Sequence, residues 1–201
     1  MARESLSRQS QSRLLVAQQA ARLMAEEGIA DYAFAKRKAA RQLGMEDAHC
    51  LPGNAEIESA LREYQELYHA DEQPEQLRQL RKDALAIMRL LEQFNPHLTG
   101  SVLDGTAGRY AQTDIHLFAD SDKEVEIFLL NNKIPYQNEE RSYHIGNERR
   151  RTSVFVLNGE QGIIRLSVFA PDDARANVKG SAGGAPRAAT KVVETLITHQ
   201  A

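Results

Sequence analysis

The chain has 201 residues, 26% of them charged and 42% hydrophobic, with a formal net charge of -3, a profile that fits one large globular domain or two small ones. That balance excludes a global basic field for nucleic acid, and no apolar run approaches the roughly 20 residues needed to cross a bilayer, so no membrane partner is expected. Cys50 is the only cysteine; an intrachain disulfide is excluded and a reducing, cytoplasmic setting is expected, in keeping with an opening MARESLSRQSQSR that lacks the apolar core of a secretion signal.

The first half reads as helix. Leu14, Leu15, Ala17, Ala20, Leu23 and Met24 keep a helical spacing from Ser10 to Glu26, and Gly28 closes that helix. Asp31 is placed to cap a second helix, Tyr32 to Leu43, ending at Gly44. Asn54 is placed to cap a third, with Ile57, Leu61, Tyr64 and Tyr68 on one stripe. Pro74 suits the first turn of a fourth helix carrying Leu77, Leu80, Ala84, Ile87, Leu91 and Phe94, and Asn95-Pro96 stops it.

After Pro96 the period changes. Leu98 to Leu103 and Thr113 to Phe118 read as strands, and Ser121 with Glu124 forms a capping-box pattern ahead of a short helix through Val125, Phe128, Leu129 and Asn132. The polar stretch Ile134 to Tyr143 is a plausible strand. Thr152 to Leu157 and Gly162 to Phe169 read as a hairpin turned at Asn158-Gly159. A glycine-rich link, KGSAGGAP, leads to a last helix from Arg187 to about Thr198, with Pro186 in its first turn. The expected fold class is therefore α+β: a helical N-terminal region, residues 1–72, followed by a mixed sheet with flanking helices, residues 73–201.

One constellation in the second region carries chemistry. A Gly-Ser turn lets backbone N–H groups approach phosphate oxygens without a side-chain clash. Acids two residues apart on one strand point the same way and reach one metal cluster. A divalent ion such as Mg2+ takes one or two such carboxylates together with phosphate oxygens. Gly100-Ser101, twelve intervening residues, then Asp114-Ile115-His116-Leu117 resembles the signature of the nucleotidyltransferase-fold superfamily, the polymerase beta-like fold: Gly-Ser, a gap, and two acids separated by one apolar residue. A long helix before and a short helix after match its order of elements, over roughly Pro74 to Phe169.

The resemblance implies transfer of a nucleotidyl group from a nucleoside triphosphate to a protein or nucleic-acid acceptor, with Mg2+ or Mn2+ as cofactor. Gly100, Ser101 and Arg165 would hold phosphate, and Asp114 and His116 would be the catalytic and metal-binding pair. Two positions depart from the pattern. His116 stands where the second acid belongs, and neutral imidazole suits softer metals than Mg2+. The strand IIRLSVF offers Arg165 and Ser167 where a third acid is common. The alternative is a fold that keeps its shape, loses catalysis and serves as a nucleotide- or protein-binding module.

Other features have simpler explanations. KGSAGGAPR lacks the Gly-Lys-Ser/Thr of a phosphate loop. Arg149-Arg150-Arg151 reads as a solvated turn beside a strand, neutralised by Glu139, Glu140 and Glu148. Lys36-Arg37-Lys38 with Arg41 gives the second helix a basic face but no persuasive DNA-reading pattern. His49-Cys50 lacks partners at zinc-ligand spacing.

Overall fold

A computed structural model describes residues 2–29, 31–45, 47, 51–68, 73–108, 110–146, 148–176, 178–180, 183–184 and 186–199. Asp71, His49 and Cys50, and Ser181, Ala182 and Ala185 of the glycine-rich link, lie outside them. The chain divides into two compact units, Met1–Gln73 and Pro74–Ala201.

The first unit is helical: α1 (Ala2–Glu27), α2 (Tyr32–Leu43) and α3 (Asn54–Tyr68), with α1 packed on both others. The Asp31 side chain accepts the Phe34 N–H at 2.8 Å, and the Gly44 N–H returns to the carbonyls of Ala40 and Arg41, so both ends of α2 are capped. Asn54, expected as a cap, is instead the first residue of α3; the Gly53 carbonyl accepts from Ile57 and the Glu56 carboxylate reaches back to the Gly53 N–H. The core is rich in alanine: Ala17, Ala20, Ala21, Ala35, Ala39 and Ala40 are buried with Val16, Leu23, Ile57 and Leu61. Leu14 and Leu15, expected inside, are 55% and 47% exposed, because the buried stripe of α1 runs through Val16, Ala20 and Leu23.

The second unit opens with α4 (Gln73–Leu90), whose Leu77, Leu80, Ala84 and Met88 are buried. A 3-10 turn, Glu92–Phe94, follows, and Asn95 ends it in a left-handed conformation. Then come β1 (His97–Thr99), α5 (Ser101–Asp104), β2 (Thr113–Phe118), α6 (Asp122–Asn131), β3 (Gln137–Ile145), β4 (Glu148–Asn158), β5 (Ile163–Phe169), β6 (Val178–Gly180), β7 (Gly183–Gly184), β8 (Arg187–Ala189) and α7 (Thr190–Thr198). These strands form one sheet in the order β7-β6-β3-β4-β5-β2-β1-β8. It is mixed: β2 and β5 run parallel, and the other pairs are antiparallel. The fold class is α+β.

Strand alternation sorts the side chains. Leu98, Ile115, Leu117, Phe155, Leu157, Ile164 and Leu166 face a core completed by Leu77, Leu80 and Met88 of α4, Val125 and Leu129 of α6 and Val193 of α7. The opposite face is polar in its middle. At one end Phe118, Tyr143, Ile145, Val154 and Phe169 form a second apolar cluster. The 3-10 segment Pro171–Arg175 sits there, anchored by buried Asp173, which accepts from both terminal nitrogens of Arg150 at 3.2 and 2.9 Å.

Three expectations are corrected. The stretch Leu98 to Leu103 is not one strand: pairing stops at Thr99, and Ser101–Asp104 makes a single helical turn. The last helix begins at Thr190 rather than Arg187, because Arg187–Ala189 pairs with β1; Pro186 therefore lies outside that helix, and its carbonyl accepts from the Thr99 hydroxyl. Arg149, Arg150 and Arg151 lie within β4, paired with β3, rather than in a turn.

Candidate functional site

The site is built at the step from β1 into α5. Gly100 adopts φ 73° and ψ -159°, a region that essentially glycine alone occupies. Space makes the same demand, since a Cβ here would lie 3.4 Å from Oδ2 of Asp114. The Gly-Ser turn and the acid of β2 are thus in direct apposition. Gly105 closes α5 with φ 90°, its N–H bonded to the Ser101 carbonyl. Asp104 accepts both the N–H and the hydroxyl of Thr106 at 2.9 and 2.6 Å.

Arg81 of α4, 3% exposed, holds this turn from beneath. Its Nε donates to the Val102 carbonyl and its Nη2 to the Leu103 carbonyl, each at 2.9 Å. A one-turn helix leaves its last carbonyls without intrahelical N–H donors, and the guanidinium supplies the missing donors to Val102 and Leu103. Burial pulls the Arg81 pKa below its ordinary value and Asp104 works against that pull.

Across the sheet, Thr99 of β1, Asp114 of β2 and Arg165 of β5 stand in one row, and His97, His116 and Ser167 form the next. Gly100, Ser101, Asp114 and Arg165 are therefore brought together. Asp114 and Arg165 are both half-buried, yet among the described residues neither side chain forms a hydrogen bond or an ion pair, and Arg165 Nε is buried without a partner. Burial raises the Asp114 pKa above the ordinary carboxylate value, while Arg165 and Arg141 oppose the rise. Burial likewise lowers Arg165, helped by the like charge of Arg141.

His116 faces the other way in character. It is 6% exposed and packed against Phe169, ring centroids 4.7 Å apart, and edge-on to Tyr143 at 6.0 Å. Burial, then the charges of Arg187 and His97, push its pKa down to about 3. It is a neutral ring at any physiological pH, and its Nδ1 has no hydrogen-bond partner among the described residues. Beside it the Tyr143 hydroxyl and Ser167 Oγ are paired at 2.8 Å.

These residues do not fit Mg2+ or Mn2+. A hard cation of this kind wants several oxygen ligands; the row offers one carboxylate, flanked by a guanidinium. Among the described residues no group of three or more His, Cys, Asp and Glu is placed to hold a metal ion. An open cavity of about 540 Å³ does lie in this unit, between Phe94, Asp120, Glu124, Ile127 and Pro171, but it is lined by none of the four residues above.

Three contributors escaped the sequence pattern. Arg141 and Tyr143 sit on β3, separated from β2 by β4 and β5; Tyr143 reaches Ser167 of β5, and the charge of Arg141 acts on Asp114. Their one local signal is the alternation Arg141, Tyr143, Ile145. Arg81 gave none beyond a charge on the apolar face of a helix. The basic run of α2 is used within its own unit: Lys36 donates to the Pro52 carbonyl and Asn54 Oδ1, and Lys38 pairs with Glu27. No helix among the described residues is long and apolar enough to cross a membrane.

No protein-family model matches the chain, and neither a curated protein nor a solved structure matches it significantly.

Proposed function

We propose that the Pro74–Ala201 unit is a divergent polymerase beta-like fold that binds a nucleotide through its phosphates without catalysing transfer. The observation that carries this reading is the contact between the Gly100 position and the Asp114 carboxylate. It brings a glycine-serine bend against an acid-bearing strand, after a long helix and before a short one. The absence of turnover is argued from chemistry. In-line displacement with two metals needs carboxylates that bridge them, and Arg165 and the buried, neutral His116 stand where further acids would serve. Arg165 and the Ser101 hydroxyl are the phosphate donors of the site, and the guanidinium's planar fork suits that task.

The test pairs calorimetric titration with ATP and GTP with a labelled-triphosphate transfer assay across Mg2+ and Mn2+. Saturable binding that Arg165→Gln weakens, with no label transferred, is the expected result. Transfer that Asp114→Ala abolishes would reinstate the enzyme, with Asp114 as its metal ligand.

A further inference from the structure

The Asp114 row lies near the start of β2; the carboxyl end of that strand is built differently. β2 and β5 are the parallel pair of the sheet and finish side by side at Phe118 and Phe169. The Ala119 N–H donates to the Phe169 carbonyl at 3.0 Å, and there the two chains part. After β2 the chain enters α6, which packs Val125 and Leu129 into the main core. After β5 it enters the 3-10 segment Pro171–Arg175 on the opposite face, where Ala174 packs against the second apolar cluster. Adjacent parallel strands whose chains leave to opposite faces open a crevice at their carboxyl ends, the usual ligand position in open α/β sheets. The open cavity of about 540 Å³ is that crevice, lined by Phe118, Ala119, Asp120 and Glu124 from the β2 side and by Pro171 from the β5 side.

We infer that this crevice binds a small organic cation: an ammonium or guanidinium group on a compact apolar body. Its volume falls within the span of small-molecule sites, about 300–1,000 Å³. Phe94 and Phe118, both buried, and Ile127, 56% exposed, supply apolar wall. The charged residues of the lining are Asp120 and Glu124, both exposed, and among the described residues neither carboxylate has a hydrogen bond or an ion pair. Among the described residues no Lys, Arg or His lines the cavity. The Arg187 guanidinium lies 5.4 Å from the centre of the Phe118 ring, but its terminal nitrogens are held by the Asp173 and Ala176 carbonyls. An anion entering here would meet two carboxylates. The N-terminus of α6 does not reverse that preference, because Ser121 Oγ already accepts the Lys123 N–H and the Ser121 carbonyl the Glu124 N–H. Carboxylates beside aromatic rings select a cation that carries an apolar body, through its charge and through the ring faces. This site stands apart from the nucleotide reading of the Asp114 row.

The experiment is titration of the full chain, followed by proton–nitrogen correlation NMR, with three probes of similar shape and different charge: phenethylamine, phenethyl alcohol and hydrocinnamate. Phenethylamine should bind saturably and shift the amides of Ala119, Asp120, Glu124 and Ile127. The alcohol should bind about tenfold more weakly, for want of two partly screened ion contacts and one ring contact, and the carboxylate should not saturate. Asp120→Asn and Glu124→Gln should each weaken the amine about threefold and leave the alcohol unchanged. Ile127→Lys, at an exposed position, should abolish binding of the amine by placing a cation at the cavity. Amide spectra of the free variants establish that each is folded. Equal affinity for amine and alcohol, tighter binding of the carboxylate, shifts confined to other parts of the unit, or binding of none of the three probes overturns the inference and leaves the reading of the Asp114 row untouched.

Discussion

Replacing His116 by phenylalanine should make the protein more resistant to acid. In the unfolded chain this imidazole titrates near 6.5, whereas in the fold its pKa is pushed down to about 3. A group whose folded pKa is depressed contributes stability that is present above its unfolded value and is lost as the pH falls through its folded one. The window is therefore pH 6.5 down to 3. Each pKa unit corresponds to about 1.4 kcal/mol, so the full loss is about 5 kcal/mol, and about 2 kcal/mol of it falls between pH 6.5 and pH 5. Phenylalanine fits the surroundings, since Phe169, Tyr143 and Phe118 already make an aromatic cluster there, and it removes Nδ1, an atom buried without a partner. Urea unfolding at pH 7.5, 6 and 5, for wild type and His116→Phe, gives the comparison. Every other titrating group cancels in the difference between the two curves. The variant should gain about 2 kcal/mol on wild type over that interval. Parallel curves, within about 0.5 kcal/mol of one another, would refute the argument and place His116 in contact with water, where it could titrate and ligate.

Asp114→Asn should stabilise the protein at neutral pH and change little in acid. Burial raises the folded pKa of this carboxyl, so its favourable contribution is present below the unfolded value and is lost as pH rises through the folded one; denaturant midpoints at pH 3.5 and 7.5 measure the crossover. Arg81→Met should cost about 2–4 kcal/mol, because it strips donors from two carbonyls at a buried turn, and a loss under 0.5 kcal/mol in urea would deny the clamp. Gly100→Ala should cost about 1–3 kcal/mol from its backbone conformation alone, and the companion Gly100→Ala/Asp114→Gly variant, read in the same assay, isolates the part due to the 3.4 Å approach.

The helices of the first unit were legible where period and caps agree. Asp31 and Gly44 mark α2 because a side-chain acceptor and a left-handed closing residue are local requirements that sequence displays directly. The buried face of α1 was misread for a reason equally physical. Its core is made largely of alanines, which pack helices closely yet carry little hydrophobic signal, while Leu14 and Leu15 stand outside. In the second unit the alternation in β2 and β5 sorted Ile115 and Leu117 from Asp114 and His116, and Ile164 and Leu166 from Arg165 and Ser167. No such rule announces that Gly100 breaks the run Leu98 to Leu103, since an apolar alternation reads the same whether or not a turn interrupts it. Arg141 was invisible as a member of the site for a different reason. Its electrostatic influence on Asp114 acts across the order β3-β4-β5-β2, a property of non-local pairing, and β8 was lost to the last helix because its partner β1 lies near the other end of the unit.

The departures from an acidic motif at this face belong together energetically. Suppose His116 alone were a carboxylate. It would stand against the Phe169 ring and beside Tyr143, whose hydroxyl is already paired with Ser167, with the charge of Arg187, whose terminal nitrogens already donate to the Asp173 and Ala176 carbonyls, to oppose its burial. A charge buried among aromatic rings protonates or destabilises the fold unless it is fully paired. Suppose instead that Arg165 alone were an acid. Two carboxylates would then face each other at Asp114 and position 165, and each would raise the other's pKa. A metal site therefore cannot be approached one residue at a time from this arrangement. The aromatic packing around His116 and the guanidinium beside Asp114 would have to change together. A neutral ring, a reluctant carboxylate and a neighbouring guanidinium are mutually compatible at this face, and no single exchange among them leads to a divalent-cation site.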